Sequence, residues 1–171
     1  MGMMCVFTGN GKGKTSAAFG MAMRFLGHGK RVVVVQFLKG TKTGEMMLKK
    51  NLPGLDIVQF GTENFVDLKK PSKEDRQRAL EALMYAKKLM TGGFRPDLLI
   101  LDEVNVAVSA GLIDDADMMD FIGDLPEEMD IVLTGRGASE KIIERADMVT
   151  EMKEVKHPFA KGKKAQEGME Y

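Results

Sequence analysis

Short apolar runs alternate along the chain with segments whose apolar residues return every three or four positions. Residues 3–8, 32–37, 56–60, 97–101 and 131–134 read as buried strands, and 148–152 as an edge strand. Several of these runs are continuously apolar, as in Val32, Val33, Val34 and Val35, which is the signature of strands covered on both faces. Ala18, Met21, Ala22 and Phe25 fall at helical spacing and stop at Gly27 and Gly29. Pro71-Ser72 opens a long helix with Ser72 as N-cap; its apolar face is Ala79, Ala82, Leu83, Ala86 and Met90, and Gly92-Gly93 ends it. Asp114 is expected to cap a short acidic helix carrying Met118, Met119 and Ile122, and Ser139 a last helix through Ala146. Residues 38–51 read as a loop and a short helix, and the segment from about 153 onward as a polar, lysine-rich tail. The alternation predicts an α/β protein: a mostly parallel central sheet with helices on both faces, in one domain spanning 1–171.

Composition narrows the function classes. Lys plus Arg and Asp plus Glu are 25 each, so the formal net charge is zero and there is no bulk electrostatic case for binding nucleic acid. A local pocket for a small anion is compatible with that balance. No apolar run is long enough to cross a bilayer and the N-terminus lacks the pattern of a secretory signal, so the expectation is a cytoplasmic protein with no membrane partner. A single cysteine, Cys5, excludes an internal disulfide or a multi-cysteine metal cage, and two histidines, His28 and His157, leave little for an imidazole site. Fifteen methionines read as core filling.

The strongest chemical signal is Thr8-Gly9-Asn10-Gly11-Lys12-Gly13-Lys14-Thr15, followed by Ser16, between a strand and a helix. Glycines there let backbone N–H groups approach a phosphate, and the helix N-terminus adds partial positive charge. Lys14 can neutralise a terminal phosphate and the Thr15 hydroxyl suits magnesium; Lys12 can touch phosphate or face water. The strict pattern has glycine where this chain has Thr8. A second signal is the apolar strand that ends in Asp102-Glu103. Placed beside the first strand, it would deliver at least one carboxylate to the metal, directly or through water. Arg136, between Gly135 and Gly137 after another strand, either reaches phosphate oxygens or pairs with a surface carboxylate. Phe65 in a polar loop either packs on a planar ligand or plugs the local core, and Cys5 is expected to be buried and His28 exposed.

These motifs together resemble the P-loop corrinoid adenosyltransferases. The resemblance extends through Val35-Gln36-Phe37-Leu38-Lys39-Gly40, Leu101-Asp102-Glu103, Thr134-Gly135-Arg136-Gly137, Val155-Lys156-His157, Gly162, Lys164-Ala165-Gln166 and Gly168-Met169-Glu170-Tyr171, and so covers nearly the whole chain. That family shares the departure at Thr8. The resemblance implies a RecA-like P-loop fold, a homodimer, and transfer of the 5′-deoxyadenosyl group of ATP to Co(I) of a reduced corrinoid with release of triphosphate. It also implies an electron donor such as a reduced flavoprotein, and ATP lying reversed in the loop relative to ordinary P-loop enzymes.

By the same resemblance, Gly9, Asn10, Gly11, Lys12, Gly13, Lys14, Thr15 and Ser16 hold the triphosphate, with Arg136 a further contact. Thr15, Asp102 and Glu103 position Mg2+ (or Mn2+), and Phe65 packs near the corrin and helps displace the lower cobalt ligand. Lys14, Glu103 and Phe65 are the residues expected to act in the reaction. Two departures are visible. The first strand begins almost at Met1, without the N-terminal arm that covers the site in some members, and Asp67 stands where some carry a tryptophan. The competing enzyme class is a P-loop small-molecule kinase or ATPase; a non-catalytic carrier of ATP or corrinoid is a third possibility.

Overall fold

The computed structural model describes residues 2–62, 66–93, 95–156 and 166–168. Its strands are β1 (Met4–Thr8), β2 (Val32–Phe37), β3 (Leu55–Phe60), β4 (Leu98–Asp102), β5 (Asp130–Thr134) and β6 (Met148–Glu151). They form one sheet in the order β3-β2-β4-β5-β1-β6, with every neighbouring pair parallel; the strand ending in Asp102 does not lie beside β1 as expected, because β5 is inserted between them. The carboxyl ends of all six strands therefore share one edge. The helices are α1 (Lys14–Gly27), α2 (Gly44–Leu48), α3 (Lys73–Thr91), α4 (Val104–Ser109), α5 (Asp115–Gly123) and α6 (Glu140–Arg145), with a 3-10 turn at Lys49–Asn51.

The continuously apolar strands are explained by two separate cores. Cys5, Phe7, Val32, Val34, Ile57, Leu98, Ile100 and Val132 face Ala18 and Ala22 of α1. Val6, Val33, Val35, Leu99, Leu101, Ile131 and Leu133 face the other way, against α3, α4, α5 and α6. Successive side chains of a strand point to opposite faces, so a strand buried on both must be apolar at every position. The expected helices on both faces are present, and β6 is an exposed edge strand.

Local chemistry sets the helix boundaries unevenly. Ser72 forms a full capping box: its Oγ accepts from Asp75 N–H at 3.1 Å, and Ser72 N–H donates to the Asp75 carboxylate at 2.8 Å. The buried face of α3 is Ala79, Ala82, Leu83, Ala86 and Met90, as its periodicity predicts. Asp114 and Ser139 occupy the N-cap positions of α5 and α6, but their side chains make no capping bond. Helix α4 is not anticipated by the pattern. Three of its six residues are valines, which disfavour helix, yet Val104, Ala107 and Val108 are buried against the sheet, and tertiary burial overrides propensity. Cys5 is buried and His28 exposed. Among the described residues no helix is long and apolar enough to cross a membrane.

Candidate functional site

The loop between β1 and α1 lies at the shared carboxyl edge. Gly9 and Gly13 adopt left-handed backbone, at φ 90° and 109°, and Gly13 forms the N-cap of α1. Gly11 is glycine for another reason. The chain leaving β6 crosses the outside of the loop, and a Cβ on Gly11 would lie 2.8 Å from the carbonyl oxygens of Met152 and Lys153. Gly11 N–H donates to Met152 O at 2.6 Å, and Met152 N–H to Thr8 O at 2.8 Å. Thr8, in place of the usual glycine, uses its hydroxyl to accept from Ala138 N–H at 3.3 Å, tying the loop to the segment after β5.

Lys14 folds back into the loop. Its Nζ donates to Gly9 O at 2.8 Å and Gly11 O at 2.7 Å, and the side chain is buried. Burial pulls its amine below the ordinary lysine value, while Glu103 pushes the other way. Asn10, Lys12 and Ser16 are exposed on the same loop and helix start.

Asp102, the last residue of β4, is fully buried and is the hub of the site. Its Oδ1 accepts from Thr15 Oγ1 at 2.8 Å and Thr134 Oγ1 at 2.7 Å. Its Oδ2 accepts from Gln36 Nε2 at 3.1 Å and from Lys39 Nζ at 2.7 Å. These donors come from α1, β5, β2 and the loop after β2. The amide of Gln36 is itself oriented by Gln59, whose Nε2 donates to Gln36 Oε1 at 2.9 Å and to Thr41 O at 3.0 Å. Burial depresses the Lys39 ammonium, but the charge and hydrogen bond of Asp102 outweigh it, so its value is raised overall.

Glu103 follows in left-handed backbone at φ 64°, an uncommon conformation for a residue with a side chain. Its N–H donates to Thr134 Oγ1 at 2.9 Å, so one threonine orients both acidic residues. Burial raises the Glu103 carboxyl above its usual value; Asp102 adds to that, and Lys39, Lys14 and Arg136 oppose it. Arg136 is exposed in the turn after β5, close enough for its charge to act on both Lys14 and Glu103. It forms no ion pair with a described residue, so the surface salt bridge considered as its alternative role is not found there.

The structure thus brings Lys14, Thr15, Asp102 and Glu103 together, with Arg136 at the rim. Phe65, His157, Gly162, Lys164, Ala165 and the residues 169–171 lie outside the described residues. Sequence reasoning assigned no role to Lys39, Gln36, Gln59, Thr134 or Met152. One signal was present: Val35-Gln36-Phe37 and Val58-Gln59-Phe60 repeat the same three letters at the ends of two apolar strands, in register with each other.

Among the described residues no group of three or more His, Cys, Asp or Glu side chains could cage a metal alone. Two adjacent carboxylates and a threonine hydroxyl are hard oxygen donors. They fit a magnesium ion that takes its remaining oxygens from phosphate and water.

Comparison with known proteins accords with this geometry. The family model described as ATP:corrinoid adenosyltransferase BtuR/CobO/CobP matches residues 1–171. A corrinoid adenosyltransferase of Sinorhizobium sp is 42% identical over 174 residues, covering 99% of this chain and 80% of the relative. One from Pseudomonas aeruginosa is 41% identical over 173 residues (99% and 84%), and one from Escherichia coli K12 is 38% identical over 171 residues (99% and 86%). With the phosphate loop, the acidic end of β4 and a match along its full length, the chain belongs to the ATP:corrinoid adenosyltransferase family.

Proposed function

We propose that the protein transfers the 5′-deoxyadenosyl group of ATP to the Co(I) centre of a reduced corrinoid, releasing triphosphate. The observation that carries this reading is the 2.8 Å contact between Thr15 and Asp102 beside the self-folded Lys14, in a chain that matches the family from end to end.

The reaction forms a bond from cobalt to C5′ of the ribose and breaks the bond from C5′ to the triphosphate oxygen, which leaves with the electron pair. Co(I) is the nucleophile, so no nucleophilic side chain or general base is required of the protein. Its tasks are alignment and stabilisation of the departing anion. The loop from Gly9 to Ser16 cradles the triphosphate, with Asn10 and Lys12 on its open side. Lys14 exchanges its bonds to Gly9 O and Gly11 O for phosphate oxygens, and Arg136 reaches the same anion from the β5 side. Thr15, Asp102 and Glu103 would hold Mg2+ (or Mn2+), which when bound supplies positive charge to the triphosphate. The likeness to the family supports a reversed ATP, a homodimer, a reduced flavoprotein as electron donor, a cytoplasmic setting, and Phe65 packing against the corrin.

The decisive experiment is anaerobic incubation with ATP, magnesium and chemically reduced cobalamin. Equal amounts of adenosyl–cobalt product and triphosphate are expected. ADP or orthophosphate with unalkylated cobalt would overturn the reading in favour of a kinase or ATPase, and binding without turnover would favour a carrier. Phe65→Ala is expected to lose more activity with cobalamin than with a corrinoid lacking a coordinated lower base; equal losses would remove its role.

A further inference from the structure

The geometry points to Lys39 as a positioning residue that sets the charge of the proposed cation site, so that a divalent cation is held tightly only when it arrives with the triphosphate. This inference rests on the magnesium site proposed at Thr15, Asp102 and Glu103.

A carboxylate offers about four acceptor positions. Asp102 has all four occupied, two on each oxygen, and Lys39 holds one of them at 2.7 Å. The Lys39 side chain is 27% exposed, whereas that of Asp102 is fully buried. Its placement is built into the backbone. Leu38 adopts left-handed φ of 59°, a strained conformation for a branched residue, and Leu38 N–H donates to Phe60 O at 3.1 Å. Gly61 and Gly40 let the two loops after β2 and β3 touch: a Cβ on Gly61 would collide with the Lys39 backbone, and one on Gly40 would lie 2.6 Å from Thr62. The bond from Gln59 to Thr41 O secures the same loop.

The consequence follows from counting charges. Asp102 and Glu103 together carry two negative charges, while Lys39 beside Asp102 and Lys14 and Arg136, whose charges also act on Glu103, bring three positive ones. Without nucleotide the site therefore has no net negative charge to hold a divalent cation, and Lys39 is the cation bonded directly to Asp102. Triphosphate restores the deficit, so metal and ATP enter together.

Manganese binding by the full-length protein, read from the free-ion EPR signal, tests this. Lys39→Met should bind Mn2+ in the absence of nucleotide at least about tenfold more tightly than wild type, because affinity for hard cations follows ligand charge. Lys39→Arg should keep the wild-type affinity. Lys39→Met leaves a buried carboxylate without its counter-ion and can fail to fold. A second comparison avoids that: Asp102→Asn against the Lys39→Met, Asp102→Asn pair, where the pair should again bind Mn2+ about tenfold more tightly. Unchanged affinity in the comparison that folds would overturn the inference. Glu103→Gln separates the two levels of the argument. If it leaves Mn2+ binding to the ATP complex unchanged, the cation site itself is misplaced. If it weakens that binding while the Lys39 variants have no effect, Lys39 alone is misassigned.

Discussion

Aspartates stand at both ends of this sheet and are wired differently. At the amino end, Asp97, Asp130 and Asp147 sit at the entrances of β4, β5 and β6. Each accepts a backbone N–H from the neighbouring chain: Arg31 at 2.8 Å, Met3 at 2.8 Å and Met4 at 2.7 Å. In return the backbone N–H groups of Asp97 and Asp147 donate to Arg31 O and Met4 O, and the N–H of Ile131, just after Asp130, to Met3 O. These carboxylates satisfy the first N–H groups of parallel strands and set register. At the carboxyl end Asp102 accepts no backbone bond among those described; its four donors are side chains from four separate elements. Side chains can exchange partners when a ligand arrives, whereas a backbone bond at a strand entrance is part of the frame. The same residue type is therefore stitching at one end and, on the function proposed above, a poised ligand at the other.

The sharpest way to test that contrast is to remove the cation beside the poised end. Lys14→Ala should lower turnover by at least about 100-fold, since it deletes the preorganised charge proposed to meet the leaving triphosphate. The thermal unfolding midpoint should move little, because the bonds lost to Gly9 O and Gly11 O are offset by relief of the burial that disfavours the Lys14 charge. Near-normal adenosylation by a folded Lys14→Ala protein would count heavily against the site.

Thr134→Val probes the wiring itself. It removes a donor to Asp102 Oδ1 and the acceptor for Glu103 N–H while keeping the side-chain shape. The expected loss is about 2 kcal/mol of stability, from two buried hydrogen bonds near charged groups. Turnover should fall as well, because Glu103 N–H loses its acceptor and Asp102 one of its four donors. Full activity would show that Thr15, Gln36 and Lys39 suffice to hold Asp102 and the backbone alone to hold Glu103.

How much of this was legible in the sequence follows from the range over which each interaction acts. The phosphate loop is eight consecutive residues, and the Asp102-Glu103 pair ends one apolar run, so local spacing exposes both. The strand assignments were readable because burial on two faces leaves no polar position to confuse the pattern. Lys39, Gln36 and Thr134 reach Asp102 only after β2 and β5 settle on either side of β4, with Gln36 in register with Asp102. That register is a tertiary fact; the echo of Gln36 and Gln59 hinted at it without naming the partner. Helix α4 was hidden because its valines favour strands, and Met152 because nothing in a lone methionine shows that its carbonyl will meet Gly11.

Glu103 gives a pH test at the poised end. Its folded-state value is raised by burial and by Asp102, so the folded protein holds this proton where the unfolded chain has already released it. Stability contributed here is therefore lost as pH rises from the ordinary carboxylate range through the raised folded value, and the penalty is complete above it. Glu103→Gln cannot ionise. In metal-free protein it should be more stable than wild type near neutral pH, with the advantage vanishing in acid, as urea unfolding across pH would show. An advantage independent of pH would mean that the carboxylate charge is not the cause.

The smallest effect belongs to the amino end. Asp130→Ala removes one exposed bond to Met3 N–H, and the cost should be about 1 kcal/mol of stability. Ile131 N–H still donates to Met3 O and β1 still pairs with β5 from Met4 onward, so the sheet keeps its register. Asp130→Asn should recover most of the loss, since its amide oxygen can still accept. Kinetic constants for both substrates should match wild type in each variant, because the change lies a full strand length from Asp102. A drop in turnover larger than the drop in folded fraction would break the division between a structural end and a reactive end.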